Sequence, residues 1–255
     1  MRKDSFVDMT AYYYDLHIHS CLSPCADDDM TPNNIAGMAA IKGLNVLALT
    51  DHNSAKNCPA FFEACKRQGI IPIAGMELST EEDIHLVCLF EELDDAMRFD
   101  AVIEKHLMPI KNRAEIFGEQ LILDGNDELI GNEQILLISP TDLSIDEAVR
   151  LAREYGAQVH PAHIDRETNG ILAVLGDIPS EYGFKTFELR EKENMSKLSG
   201  TVEELSEHNI LVCSDAHQLW NISEAENFFM IDDEPYSSRL VRKRIFDMLD
   251  AGKLN

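Results

Sequence analysis

Histidine is the residue type whose placement in this chain suggests chemistry. There are nine, and six of them (His17, His19, His52, His160, His163 and His217) stand at or just past the C-terminal end of a short apolar run. His17-Ile18-His19 spaces two imidazoles two apart, which along a strand is one face, so both can reach a single ion. Thr50-Asp51-His52-Asn53, Gly75-Met76-Glu77 and Ser214-Asp215-Ala216-His217 each put an imidazole or a carboxylate where a run gives way to a loop. Any one of these is ordinary. H-x-H alone reads more readily as two surface histidines on an edge strand, and Asp-His as a satisfied polar pair at a turn. Four together are harder to explain without a shared centre, because clustered imidazoles and carboxylates repel or go unsatisfied unless metal ties them together. The donors are nitrogen and oxygen without obvious thiolates, which suits zinc, iron or manganese. More than four candidate ligands imply two or three divalent ions, and such sites clamp phosphoryl oxygens and activate a bridging water.

Something must hold these side chains at one edge. Short apolar runs alternate with helical segments, the pattern of a parallel α/β fold, whose C-terminal strand ends carry the active site. The runs are residues 12–19, 46–50, 70–78, 84–90, 157–163, 185–189 and 210–214. Thr31-Pro32 opens a helix that Gly43 closes, and another from about Pro59 to Gln68 ends at Gly69. Ser144 to Glu147 and Thr201 to Glu204 are capping boxes, and a terminal helix spans about Pro235 to Leu254. Residues 94–143 read as an insertion: helical and charged to about Phe117, then a hairpin turning at Asp124-Gly125. The whole chain, 1–255, is expected to be a single domain.

The formal net charge is −24, from 22 basic and 46 acidic residues. That balance argues against a long nucleic-acid footprint, which needs clustered Lys and Arg. A phosphate substrate would then need local positive charge, and bound cations supply it. The six cysteines make no disulfide framework; Cys88 and Cys213 lie in apolar runs and read as buried thiols. No apolar stretch approaches a membrane span, and no secretory signal follows Met1. A cytoplasmic protein with no membrane partner is expected, of unknown oligomeric state.

In order, Asp15-Leu16-His17-Ile18-His19-Ser20, Thr50-Asp51-His52-Asn53, Gly75-Met76-Glu77, Ile84-His85-Leu86-Val87, Ala162-His163 and Ser214-Asp215-Ala216-His217 resemble the motifs of the PHP (polymerase and histidinol phosphatase) superfamily. The resemblance covers roughly residues 13–90 and 144–225. It implies a distorted seven-stranded (β/α) TIM-like barrel with a trinuclear metal centre that hydrolyses phosphoesters, a hydroxide between the ions attacking phosphorus in line. By the same resemblance His17, His19, Glu77 and Asp215 hold one metal, an early aspartate with His52 and His217 a second, and Glu77, His85 and His163 a third.

Two places depart from the pattern. The family's Ser-Asp-Gly after H-x-H is replaced by a longer segment, Ser20 to Pro32. Counting back from Thr31-Pro32 selects Asp27 as ligand, with Asp28 and Asp29 as substitutes and a solvated acidic turn as the bland alternative. Cys21 and Cys25 flank that segment, as loop packing or as a thiolate ligand. In His160-Pro161-Ala162-His163 the alignment on Ala-His selects His163 over His160, which then packs beside the site. Arg166, and more weakly Arg190, can contact a phosphate, or can simply be exposed loop residues. Asp15 and Asp51 read as supports for the ligands, and His106 and His208 as solvated helix residues. The expected activity is that of a phosphatase on a small phosphorylated metabolite or nucleotide, histidinol phosphate included. The alternatives are a catalytically idle partner-binding module and a nuclease acting on short nucleic-acid ends.

Overall fold

The computed structural model describes residues 9–198, 205 and 208–252. In chain order these form β1 (Thr10–Asp15), α1 (Pro32–Lys42), β2 (Val46–Leu49), α2 (Cys58–Gln68), β3 (Ile71–Ser79), β4 (His85–Phe90), α3 (Leu93–Ile103), α4 (Ala114–Phe117), β5 (Leu121–Leu123) and β6 (Leu129–Asn132). There follow α5 (Ile145–Glu154), β7 (Gln158–Pro161), α6 (Ile171–Leu175), β8 (Thr186–Leu189), α7 (Met195–Leu198), β9 (Asn209–Val212), β10 (Phe228–Ile231) and α8 (Ser238–Ala251). Each of the seven apolar runs is a strand.

The main sheet has the order β10-β1-β2-β3-β4-β7, and β8 pairs with β9 separately. The sheet curls, and backbone hydrogen bonds at the rim join it to the small pair. Ile164 N–H donates to Glu188 O at 2.9 Å, beyond β7, and His19 N–H to Ala216 O at 2.9 Å, beyond β9. The result is a TIM-like half-barrel, as the motif order implied. Two features depart from an all-parallel barrel. β4 runs antiparallel to both β3 and β7, because β3 and β4 are joined by a tight turn at residues 80–84 that leaves no room for a crossover helix. β10, which the apolar pattern did not mark, adds antiparallel to the free edge of β1.

Alternate residues of the strands serve two cores. Leu47, Leu49, Ala74 and Met76 face the helices, packing with Phe61, Phe99 and Ala148. Val46, Ala48, Ile71 and Ile73 face inward with Val241, Ile245 and Leu249 of α8. Thr186 Oγ1 and Asn209 Nδ2 donate to the α8 carbonyl of Leu249. They stand at the first residues of β8 and β9, so α8 covers the N-terminal mouth of the barrel and leaves the C-terminal mouth for the site.

The punctuation of the helices follows the sequence. Thr31 accepts from Asn34 N–H to cap α1, and Gly43 ends it in the left-handed region. Both halves of the Ser144–Glu147 capping box are formed. The Thr201–Glu204 box and Leu254 lie outside the described residues.

In the 94–143 segment, α3 packs Phe99 against Phe90 and Tyr155 as part of the barrel's helical layer. The excursion follows it, with α4 and the β5–β6 hairpin. Asp124 accepts from Asn126 and Glu128 N–H at the turn. The left-handed residue there is Asp127 (φ 61), not Gly125. The Asp127 carboxylate in turn accepts from Thr31 Oγ1 at 2.6 Å and from Asn33 N–H at 3.2 Å, pinning the hairpin to the start of α1. Gly118 sits at φ 97 against Pro24, where a Cβ would lie 2.3 Å from the Pro24 carbonyl oxygen. The excursion therefore clamps the loop that follows His19.

Candidate metal centre

β1 ends at Asp15, and the chain continues extended through His17 and His19. Ile18 between them bridges to Ala216 and donates its N–H to Thr50 Oγ1 at 3.1 Å. His52 bridges to Glu77, which lies in β3, and His85 opens β4 beside them. His163 follows β7, and Asp215 and His217 follow β9. Three of these residues or their neighbours adopt left-handed backbone: Asn53 (φ 48), His163 (φ 29) and Asp215 (φ 50). Non-glycine residues held this way need surrounding structure to fix them, and such strain gathers at functional sites.

The side chains converge in three interlocking groups whose ligand atoms lie within 4.8 Å of one another: His17, His19, Glu77 and Asp215; His19, His52 and His217; and His52, Glu77 and His85. Glu77 is the hub. Its Oε1 lies 2.8 Å from His85 Nδ1 and 3.0 Å from His163 Nε2, and its Oε2 lies 2.9 Å from His52 Nδ1. His19 Nε2 stands 3.2 Å from both His17 Nε2 and Asp215 Oδ1. His52 Nδ1 and Glu77 Oε2 are buried and close, yet neither makes a hydrogen bond. Buried polar atoms left this way are costly, and a metal ion shared between them would satisfy both. Nitrogen and carboxylate oxygen donors in this density fit transition-metal ions.

Charge on the site follows from these contacts. Burial alone would depress the His17 pKa, but the Glu188, Glu77 and Asp215 carboxylates outweigh it and hold it well above the ordinary value. Burial, little offset by Glu77, lowers His52 to about 4. Burial, reinforced by the charge of His19, lowers His217 to about 3. These two imidazoles are neutral at neutral pH, the form that binds metal. Burial works against ionisation of Glu77, but His85, His17 and His52 hold its carboxyl well below the usual range.

The supports are also visible. Asp51 accepts from Ser20 N–H and from Ser23 Oγ, each at 2.7 Å. Ser23 Oγ is 2.9 Å from His19 Nδ1 and accepts from His52 N–H. Asp15 accepts from Ser214 and Ser223 N–H, fixing the segment that carries Asp215. A support the sequence reading missed is Glu188 of β8, fully buried. Its Oε1 accepts from His17 Nδ1 at 2.8 Å and from His163 N–H at 3.1 Å. The signal was there: a carboxylate within the buried run Thr186 to Leu189 requires a partner.

Most expected site residues meet in this centre. The structure brings His163, not His160, to Glu77; His160 is buried with Nδ1 2.9 Å from Gln158 Oε1. Asp27 is exposed, as are Asp28 and Asp29, and joins none of the three groups. The third member of the group with His52 and His217 is His19. Asp27 contributes its backbone instead, donating N–H to His217 O at 3.0 Å. Cys21 is buried with Sγ 4.0 Å from Leu121 O, whereas Cys25 is exposed. Arg166 Nη1 donates to Asp215 Oδ2 at 2.9 Å. His106 lies 2.7 Å from Asp142, and His208 is beside Phe187.

The centre opens into a cavity of about 490 Å³ whose walls include Cys25, Ile138, Arg166, Arg190 and Asn221. A larger groove, about 600 Å³, runs along α5 and holds no histidine. No helix among the described residues is long and apolar enough to cross a membrane.

Residues 15–209 match the PHP domain. The chain is 33% identical over 129 residues to a 5'-3' exoribonuclease of Haemophilus influenzae, covering 47% of this chain and 46% of that protein. Its fold is similar to that of the lesion-specific endonuclease Q of Pyrococcus furiosus (TM-score 0.62, 18% identity, 95% of this chain and 56% of that one). It is also similar to an endonuclease Q bound to a 27-mer duplex with an abasic lesion at the active site (TM-score 0.56, 18% identity, 82% and 50%). A chain of Bifidobacterium adolescentis assigned as a metal-dependent phosphoesterase matches with TM-score 0.59 and 17% identity over 92% of this chain and 97% of that one. The chain thus spans about half the length of the exoribonuclease and of the endonuclease.

These findings correct the expectation of a small phosphorylated substrate with no long nucleic acid. A chain of this fold takes a duplex, and a sequence relative is named as an exoribonuclease. The expectation failed because it used the charge of the whole chain, whereas a phosphate meets only the local field, which ions in the cavity would dominate. The ordered motifs, the histidine–carboxylate centre at the strand ends and the match over residues 15–209 agree: the chain belongs to the PHP domain family of metal-dependent hydrolases.

Proposed function

We propose that this chain hydrolyses phosphodiester bonds in nucleic acid, with the scissile phosphate seated between the metal centre and two arginines. The observation that carries the reading is the cavity itself. Its floor contains Glu77, His52 and Asp215, and its wall contains Arg166 and Arg190. His17, His19, Glu77 and Asp215 would hold one ion, His52 and His217 a second, and Glu77, His85 and His163 a third. When bound, the ions supply Lewis acidity toward phosphoryl oxygens and an activated water. Arg166, whose Nη1 donates to Asp215 Oδ2, would grip a non-bridging oxygen with its remaining N–H groups. Glu188 would keep the His17 proton on Nδ1, leaving Nε2 as the nitrogen that could bind an ion. The names of the exoribonuclease and endonuclease relatives support nucleic acid as the substrate class.

The test is a side-by-side assay with manganese, iron or zinc. Its substrates are end-labelled single-stranded RNA and DNA, a duplex with an abasic site, and a generic phosphomonoester. Metal-dependent cleavage of an oligonucleotide, stopped by chelator, is expected. Turnover of the phosphomonoester alone would refute the nucleic-acid reading, and no turnover of any substrate by metal-loaded protein would refute hydrolysis.

A further inference from the structure

Inside the barrel, behind His17, lies a polar pair that is not part of the three groups. His160 stands on β7 opposite Val87, and Glu188 on β8 opposite Leu211. Val87 and Leu211 both belong to the inner core. Residues paired across strands share a face, so His160 and Glu188 also point into the barrel interior. Both are fully buried. His160 Nε2 and Glu188 Oε2 face each other at 3.7 Å, and neither has a hydrogen-bond partner. That distance is too long for a hydrogen bond, and two orphaned polar atoms in one core are costly. The other ends of the pair are engaged. Glu188 Oε1 holds His17 Nδ1 and the His163 N–H, and His160 Nδ1 lies 2.9 Å from Gln158 Oε1.

Where the His160 proton sits decides whether the pair attracts or repels. On Nδ1 it goes to Gln158, and the bare Nε2 then faces a carboxylate oxygen, lone pair against lone pair. A half-turn of the Gln158 amide presents its N–H to Nδ1 instead, and the proton then stands on Nε2, toward Glu188. We propose that His160 is a positioning residue of the metal centre, donating Nε2–H to Glu188 Oε2 and so fixing the carboxylate that orients His17 and His163. The inference rests on the metal-centre reading above and extends it along the line from Gln158 through His160 and Glu188 to His17. With both oxygens engaged, Glu188 keeps one orientation. With Oε2 unheld it is free to turn, and the hold on His17 loosens with it. The Cys213 thiol also lies beside Glu188, but a thiol is a weak donor.

Full-length protein loaded with zinc tests this in two ways. A long-range proton–nitrogen correlation spectrum of isotope-labelled protein separates the two imidazole tautomers, and the His160 signals are those missing from His160→Gln. The Nε2–H tautomer is expected, and the Nδ1–H tautomer would overturn the proposal. Competition with a chelating dye then reads the coupling. His160→Leu should lower zinc affinity by about 10-fold. His160→Gln, which keeps a side-chain N–H donor, should recover most of that loss, and Cys213→Ala should lose nothing. In a Glu188→Ala background His160→Leu should have no further effect. Losses from the two residues that multiply would mean that His160 only fills the core, and would overturn the proposal while the metal centre stands. A loss in Cys213→Ala in place of His160→Leu would assign the contact to the thiol and overturn it too. A protein that binds no zinc would overturn the centre and the positioning role together.

Discussion

Glu188 Oε1 accepts from His17 Nδ1 at 2.8 Å and from the His163 backbone N–H at 3.1 Å, so one buried carboxylate sets two residues whose rings stack 5.9 Å apart. Removing it leaves His17 free to rotate and to exchange tautomers. Outer-shell partners of this kind typically change metal affinity by about 10- to 100-fold. Glu188→Gln is expected to weaken metal binding within that range while keeping the fold, as read by competition with a chelating dye. An affinity equal to that of the unaltered protein would show that Glu188 only fills space.

Glu77 and His85 should differ in how much they cost. Glu77 touches His85, His163 and His52, whereas His85 belongs to one group only. Elemental analysis of Glu77→Gln should find the centre nearly empty of transition metal, and His85→Ala should lose a single ion. Equal loss in both variants would contradict the hub role of Glu77.

Arg166 is expected to act on substrate rather than on metal. Loss of a charge-assisted hydrogen bond costs about 1.5–3 kcal/mol, roughly a 10- to 100-fold change. Arg166→Ala should raise KM for an oligonucleotide by about that factor, with a smaller change in kcat and an unchanged ion count. Arg166→Lys should restore little of it, because a lysine lacks the fork. A variant whose ion count falls instead would mean that the pair with Asp215 serves the centre.

Gly118→Ala tests the clamp on the His19 loop. The added Cβ would meet the Pro24 carbonyl at 2.3 Å, and the backbone there sits at φ 97. A cost of about 1–3 kcal/mol is expected from such overpacking, seen as a lower thermal unfolding temperature together with weaker metal retention. Unchanged unfolding would show that the loop moves freely away from the excursion.

Lys56 and Glu133 tie the excursion to the start of α2, with Glu133 also accepting from Gln134 and Ile135 N–H. Burial pushes the Glu133 carboxyl up, but the Lys56 ammonium and those N–H groups prevail and hold it below its ordinary value of 4.5. Its folded pKa is depressed, so its stabilising contribution is present above pH 4.5 and is lost as pH falls through the folded value. Burial would lower Lys56, yet Glu133 outweighs it and raises the ammonium above 10.5. That contribution is lost only as pH rises through the raised value. Lys56→Met should therefore destabilise the protein across the neutral range, and the difference from the unaltered protein should shrink below pH 4.5. A difference that is constant with pH would remove the ionic account.

What could be read from the sequence was local. His17-Ile18-His19 and Ser214-Asp215-Ala216-His217 carry their meaning in two-residue spacing and in position after an apolar run, and both reach the centre. The reversed direction of β4 was hidden, because a fully buried run such as Leu86 to Phe90 looks the same whichever way it lies in the sheet. β10 is four residues long and half of it is not buried, so its apolar pattern is weak. Asp27 was selected by counting along the chain. The loop is held by the Asp27–His217 backbone bond and packs against Gly118 at Pro24, and both contacts join residues distant in sequence. Glu188 was passed over because a single acid in a strand has no motif, only an obligation to find a partner.

His19, His52 and Glu77 each belong to two of the three groups. An ion in one group therefore orders donors for its neighbour, and an ion that leaves takes that order away. The groups are therefore coupled: emptying one should lower the affinity of its neighbour, and a chelator titration should show the later ions leaving more readily than the first.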